Sequence, residues 1–487
     1  MVDGLGGILV KGIRFKVLTF ALIFSLTLTS CSYKGQNLVC IELWHHYEGE
    51  QRIAFDSLVR KFNETEGMNK GIIVEAFSQG TMNDLEVKLA NSINGKVGYD
   101  DTPDIFAGYP DFVRHLDDVG VIVNMEDYMK KSEINAYIDT YIKEGYIGKN
   151  NSLKMIPVGK STEVLMINKT DWDKFEEATG TRLKELETWE GVAQVAEKYY
   201  NWTNSLTPEP NDGKAFFARD NIANHILAAS QQLGEGMFVV KGEEVEVKID
   251  NDVMKKIWDN YYIPYVNGYY GPFERFSADD LKTGEIIAYV GSTGEVNYFP
   301  SKVTTSDNET YDIEPLILPV PKFRKAKSCA ALQGAGMSVL KSDESHEWAA
   351  VEFLKWFSNS ANSIEFTAAT GYLPVTKPFN NTDAIEKELR EKVPKDISKI
   401  VKMSLPIAAK QVEEGDVYIG QSFNNSLAVR NVLTSLLINR AKGDKERIQQ
   451  LMNEGMTKQR AVEEIATDSN FEQWLVRFKM EVKGVAN

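Results

Sequence analysis

The apolar positions change period along the first third of the chain. Leu38–Leu43 (LVCIEL) is a short apolar run of strand length. Glu50–Thr65 then places Phe55, Leu58, Val59 and Phe62 at i, i+3, i+4 and i+7, which predicts a helix with one buried face. The alternation repeats. Gly71–Phe77 (GIIVEAF) predicts a second strand, and Met82–Ile93 a second helix with Met82, Leu85, Leu89 and Ile93 on one side. Asp104–Ala107 (DIFA) predicts a third strand and Phe112–Val119 a third helix. Strands alternating with helices predict a parallel sheet covered by helices on both faces.

Further on, Glu163–Asn168 (EVLMIN) and Ile286–Val290 read as largely buried strands. Residues 170–320 are mixed and aromatic-rich. Glu344–Ala369 reads as helical, with Ala350, Phe353, Leu354 and Phe357 on one face, and the tail from about 380 to 487 is charged and helical. No internal repeat interrupts this order.

The N-terminus carries a different signal. Lys11, Arg14 and Lys16 precede the apolar run Val17–Leu28, too short to span a bilayer comfortably but right for an export signal. Leu28-Thr29-Ser30-Cys31 follows and resembles a bacterial lipobox, so residues 1–30 are expected to be removed, Cys31 lipidated and 31–37 a polar tether. The rest is expected to lie outside the cytoplasm, attached to the outer face of the membrane by its lipid. Cys40 and Cys329 are the other cysteines; their spacing leaves open whether they pair.

The net charge is −15, and the first thirty residues contribute +2, so the body carries −17. A body this acidic, with no basic cluster, repels phosphate backbones, which argues against nucleic acid as a partner. Nucleotide binding is raised by Gly159-Lys160-Ser161-Thr162 and then fails. The first glycine of a P-loop is missing, since Lys154 stands there, and a strand rather than a helix follows. Five histidines, no H-E-x-x-H and no cysteine cluster leave metal catalysis without ligands, and no cofactor is expected.

Several segments together resemble a family: the lipobox, IELWHHYEGE, FDSLVRKFNETEG, TPDIFAGYPD, GKSTEVLMINK, ALQGAGMSVLKSDESHEWAAVEFLKWF and TGYLPV. In this order they look like an extracellular solute-binding protein of an ABC importer, of the sugar-binding group that includes maltose-binding protein. The resemblance implies an α/β clamp of two lobes, each a sheet flanked by helices, with the ligand cleft between them. It places residues 38–157 with 331–373 in lobe one and 160–328 with 376–487 in lobe two. It also implies a sugar or oligosaccharide ligand, permease subunits in the membrane as partners, and a monomer.

Ligands of open α/β sheets bind outside the carboxyl ends of strands. Sugars need aromatic rings against their faces and acids, amides or hydroxyls at their edges. After the first strand stand Trp44, Tyr47 and Glu48, Trp44 reading equally well as core. After the third stand Tyr109 and Asp111, the latter also a natural helix cap. By the resemblance, Ser161, Thr162 and Glu163 follow a crossover and face the cleft. Tyr270 and Phe276 are candidates for a ring face, or for packing. Gly291, Ser292 and Thr293 offer backbone and hydroxyl contacts, or form a plain turn. Gln333, Gly334 and Tyr372 match positions that line the cleft in this family. The same clamp for a polyamine or peptide, and a secreted glycoside hydrolase with two of the 70 acids as catalysts, remain as alternatives.

Overall fold

A computed structural model describes residues 38–486, apart from 99–100, 235, 242–243, 272–275, 378–381 and 392–397. The export signal, the tether and Cys31 lie outside the described residues.

Two sheets organise the chain. The first has five strands, in the order Ile72–Ser78, Val39–His45, Ile105–Gly108, Gly336–Val339, Ile156–Pro157. Its first three are parallel, as the strand–helix alternation predicts. Gly336–Val339 runs antiparallel to both of its neighbours, so the sheet is mixed. The reason is topological: Gly336–Val339 enters after the chain has visited the second sheet, and local periodicity carries no trace of that. Helix Gly49–Glu64 buries Phe55, Leu58, Val59 and Phe62. Helix Glu344–Ser358 buries Phe353, Leu354 and Phe357 in the same core. Helix Met82–Ile93 begins with a capping box between Thr81 and Asp84.

The second sheet has the order Pro315–Pro319, Glu163–Asn168, Ala288–Ser292, Phe217–Arg219. Its central strand, Glu163–Asn168, is buried at every position. Leu165 and Ile167 face one core, which includes Trp172, Trp189, Leu433 and Phe478. Val164 and Met166 face another, closed by Leu405 and Ala408. Burial on both faces explains why this strand reads as a continuous apolar run.

Three segments cross side by side between the sheets. Ser161 N–H donates to Gln333 O at 2.9 Å, and Gln333 N–H to Ser161 O at 2.8 Å. Lys160 N–H donates to Leu373 O at 3.2 Å. The fold is therefore a two-lobed clamp whose lobes meet at a narrow bundle of strands. Gly334 and Gly371 sit in this bundle with φ of +120° and +80°. A Cβ on Gly371 would stand 2.2 Å from Thr293 O, and one on Gly334 would stand 2.7 Å from Gly159 O. Only glycine fits either place. Lys160, the lysine of the P-loop-like match, is fully buried here, paired with Glu144 and donating to Gly334 O at 3.0 Å. It holds the crossing together and is not available to a phosphate. Cys40 and Cys329 lie on different strands and form no disulfide with each other.

Candidate functional site

A cavity of about 590 Å³ lies between the lobes, within the usual size of small-molecule sites. The starts of three helices bound it: Pro110–Asp118 from lobe one, and Ile222–Leu233 and Ser426–Asn453 from lobe two. Each start follows from sequence. Pro110 sits at the first helical position, where its missing N–H costs nothing. Asn221 caps its helix by accepting Asn224 N–H at 2.9 Å. Leu332, Gln333 and Gly334 form part of the wall where the chain crosses.

Aromatic and hydrogen-bonding groups share the lining. Tyr109, Phe112, Phe238, Tyr418 and Phe423 supply ring surface; Asp111, Asn224, Gln333, Gln421 and Asn431 supply polar edges. Asn224 is oriented from behind: its Nδ2 donates to Glu163 Oε1 at 3.1 Å, and its Oδ1 accepts from Arg430 at 2.5 Å. Burial pushes the Asp111 carboxyl up, against the pull of the Ser426 hydroxyl and the charges of Arg430 and Arg114. Glu86 is pushed up to about 7 by burial and by the charge of Asp111. Glu295, on the lobe-two side, is pushed up to about 7 by burial and by Asp220 and Glu163.

The lobes also touch directly. Ser426 Oγ donates to Asp111. Arg114 donates to Ser422 O at 3.2 Å, and Gln51 Nε2 to Gly294 O at 2.7 Å. These contacts join lobe one to lobe two on either side of the cavity.

Of the residues expected from sequence, Tyr109, Asp111, Gln333 and Gly334 line the cavity together. Others do not. Trp44 is in the lobe-one core, its indole N–H donating to Glu42 at 2.5 Å. The strand is covered on both faces, so its last side chains turn inward. Tyr47 is buried among His45, Phe55 and Phe366. Tyr270 is fully buried against Phe217 and Tyr261. Glu163 is buried, with both carboxylate oxygens taken by Arg219 and Asn224. Ser161 and Thr162 are buried in the crossing, and Thr293 Oγ1 accepts Thr162 N–H at 3.3 Å. Ser292 Oγ caps the turn at Gly294 N–H, and Gly291 packs where a Cβ would meet Asp220 Oδ2 at 2.8 Å. Glu48 and Phe276 are exposed and outside this lining. Tyr372 stacks on Phe366 at 5.9 Å and packs over Gly294.

The sequence reading missed Glu86, Asp220, Asn221, Asn224, Ser426 and Arg430. Asp220-Asn221 ahead of Ile222, Ala223, Ile226 and Leu227, apolar at helical spacing, is a helix-start pattern that would have found the second wall. Among the described residues no group of three or more His, Cys, Asp or Glu side chains is placed to hold a metal. No helix among them is long and apolar enough to cross a membrane.

The family model for bacterial extracellular solute-binding proteins matches residues 57–392. The chain belongs to this family. A search of curated proteins gives no match. Solved structures with the same fold include the cyclic α-maltosyl-1,6-maltose binding protein of Arthrobacter globiformis, at 16% identity and TM-score 0.62, covering 83% of this chain and 94% of that one. An ABC substrate-binding protein of Listeria monocytogenes in complex with cycloalternan matches at 15% identity and TM-score 0.62, over 90% of this chain and 99% of that one. UgpB of Mycobacterium tuberculosis, in complex with glycerophosphocholine, matches at 16% identity and TM-score 0.61, over 91% and 100%. The first two are binding proteins by their descriptions.

Proposed function

We propose that this solute-binding protein captures a sugar or oligosaccharide outside the cell and delivers it to the permease of an ABC importer, held at the membrane by lipidated Cys31. The observation that supports the ligand is the interlobe lining, where Tyr109, Tyr418 and Phe423 offer ring surface and Asn224, Gln333 and Asn431 offer amide edges. The fold neighbours from Arthrobacter and Listeria, one a maltosyl-maltose binder and one holding cycloalternan, agree with it. Ligand that touches both lobes binds the closed arrangement better than the open one, and this difference drives closure. The closed form then docks on the permease.

The test is a thermal-shift screen of the full-length protein in detergent against neutral mono- and oligosaccharides, polyamines and peptides. A ligand at about a hundred times its Kd stabilises by roughly 2.7 kcal/mol. A shift with one sugar class, and that sugar recovered intact, supports a carrier. A shift with peptides alone overturns the ligand, and a consumed sugar overturns the carrier. Anchoring is tested by Cys31→Ser, which should move the protein from the membrane fraction to the soluble one.

A further inference from the structure

The interlobe cavity does not end at its own wall. It shares Pro110, Glu144, Gly420 and Gln421 with a neighbouring space of about 760 Å³, so the two form one continuous groove. Both lobes wall the second space. Arg114, Lys143, Tyr146 and Lys149 come from lobe one, and Val240, Ile419 and Ser422 from lobe two. Arg114 bridges them, donating to Ser422 O at 3.2 Å. Lys149 stands in the turn between the short strands Tyr146–Ile147 and Ser152–Leu153. That turn is packed on helix Pro110–Asp118, where a Cβ on Gly148 would stand 2.1 Å from Asp117 Oδ2.

The two ends of the groove differ in charge. The first space is lined by Glu86, Asp111 and Asp220, with Arg430 as its cation. The second is lined by three cations, Arg114, Lys143 and Lys149. Its acid among the described residues is Glu144, on the shared wall, and Glu144 is committed to Lys160. Two acids beside the lining are neutralised as well, Asp117 by Lys154 at 3.0 Å and Asp139 by Lys377 at 2.9 Å. A chain of net charge −15 thus gathers positive charge at one end of its cleft, where it attracts an anion. Carboxylates at the other end repel one and suit neutral hydroxyls. Each space alone is of the size that holds a small ligand, so a ligand that uses both is extended.

On the reading that the interlobe cavity is the sugar site, we propose that the ligand is an extended acidic oligosaccharide. Its neutral rings lie in the first space. A terminal anionic sugar, a uronate or a sugar phosphate, is received in the second by Arg114, Lys143 and Lys149.

Calorimetry on the full-length protein in detergent tests this. The probes are maltotetraose and xylotetraose, each also in a form ending in one glucuronic acid, maltotetraose ending in a 6-phosphate, and glucuronic acid alone. An acid-ended tetramer should bind about tenfold more tightly than its neutral form, and lose much of that margin in high salt. The tighter of uronate and phosphate names the anion. Lys143→Gln with Lys149→Gln, both exposed in the free protein, should bring the acid-ended and neutral forms to nearly equal affinity. A preference that survives the double variant overturns this placement of the anion. Neutral tetramers that bind as tightly as acid-ended ones overturn the anion and leave the sugar site standing. Glucuronic acid that binds as tightly as the tetramers overturns the extended ligand. Binding of no saccharide overturns the acidic oligosaccharide, and a thermal shift with peptides or polyamines then overturns the sugar reading beneath it.

Discussion

Glu163 Oε2 accepts a hydrogen bond from Arg219 Nη2 at 2.6 Å, and the two side chains are 2% and 1% exposed. The pair lies behind the cavity wall, where Glu163 also orients Asn224. Removing one member strands the other charge in the interior, which costs about 3–5 kcal/mol. Glu163→Ala should therefore destabilise the fold by about that amount, read by urea unfolding. A variant as stable as the parent but weak in ligand binding would return Glu163 to direct ligand contact.

This pair shows where the sequence reading stops. The strand Glu163–Asn168 is legible because burial on both faces demands an unbroken apolar run. That its first residue turns toward Arg219 is not, because the partner is 56 residues away on another strand. The same limit governs the site. Tyr109 and Asp111 are found because they follow a strand and open a helix. Glu86 sits on a helix flank, with a solvated face as its ordinary reading, and Arg430 lies in a tail that reads as plain helix. Trp44 misleads for the opposite reason: a strand end looks open in sequence, and the helices covering both faces close it.

Gly371 supports a second prediction. Its φ of +80° and the 2.2 Å approach of a Cβ to Thr293 O leave no room for a side chain at the crossing. Left-handed backbone alone costs a non-glycine residue about 1–2 kcal/mol. Gly371→Ala should push the crossing strand away from Thr293, so the lobes no longer settle into this arrangement. Small-angle scattering should show a wider particle, and ligand should fail to compact it. Scattering identical to the parent's, both without ligand and with it, would refute a hinge role for Gly371.

Glu86 and Glu295 make stability depend on pH. Both rise from 4.5 to about 7, chiefly through burial, so the folded protein holds protons that the unfolded chain has released. Where the folded state binds more protons, stability falls as pH rises. Their contribution is full below about 4.5 and is lost as pH climbs through about 7. Free protein should therefore melt lower at pH 8 than at pH 5 by a margin that Glu86→Gln with Glu295→Gln reduces. An identical pH profile for parent and double variant would show that the two acids titrate normally.

The contacts across the cleft bear on closure itself. Ser426 Oγ donates to Asp111 on one side, and Gln51 Nε2 to Gly294 O at 2.7 Å on the other. Each bond exists only while the lobes are together, so each favours the closed state by its net worth, about 0.5–1.5 kcal/mol. Gln51 lies outside the cavity lining, which makes Gln51→Ala the cleaner probe. Losing about 1 kcal/mol of closure lowers the closed population of the free protein, and apparent affinity falls by up to roughly fivefold with the ligand's own contacts intact. Combining Gln51→Ala with Ser426→Ala should add the two losses, because the bonds share no partner. Calorimetry reads the affinity and scattering the population. A Gln51→Ala protein that binds as tightly as the parent, with the same scattering profile, would mean that this bond is remade with water in the open state and carries no weight in closure.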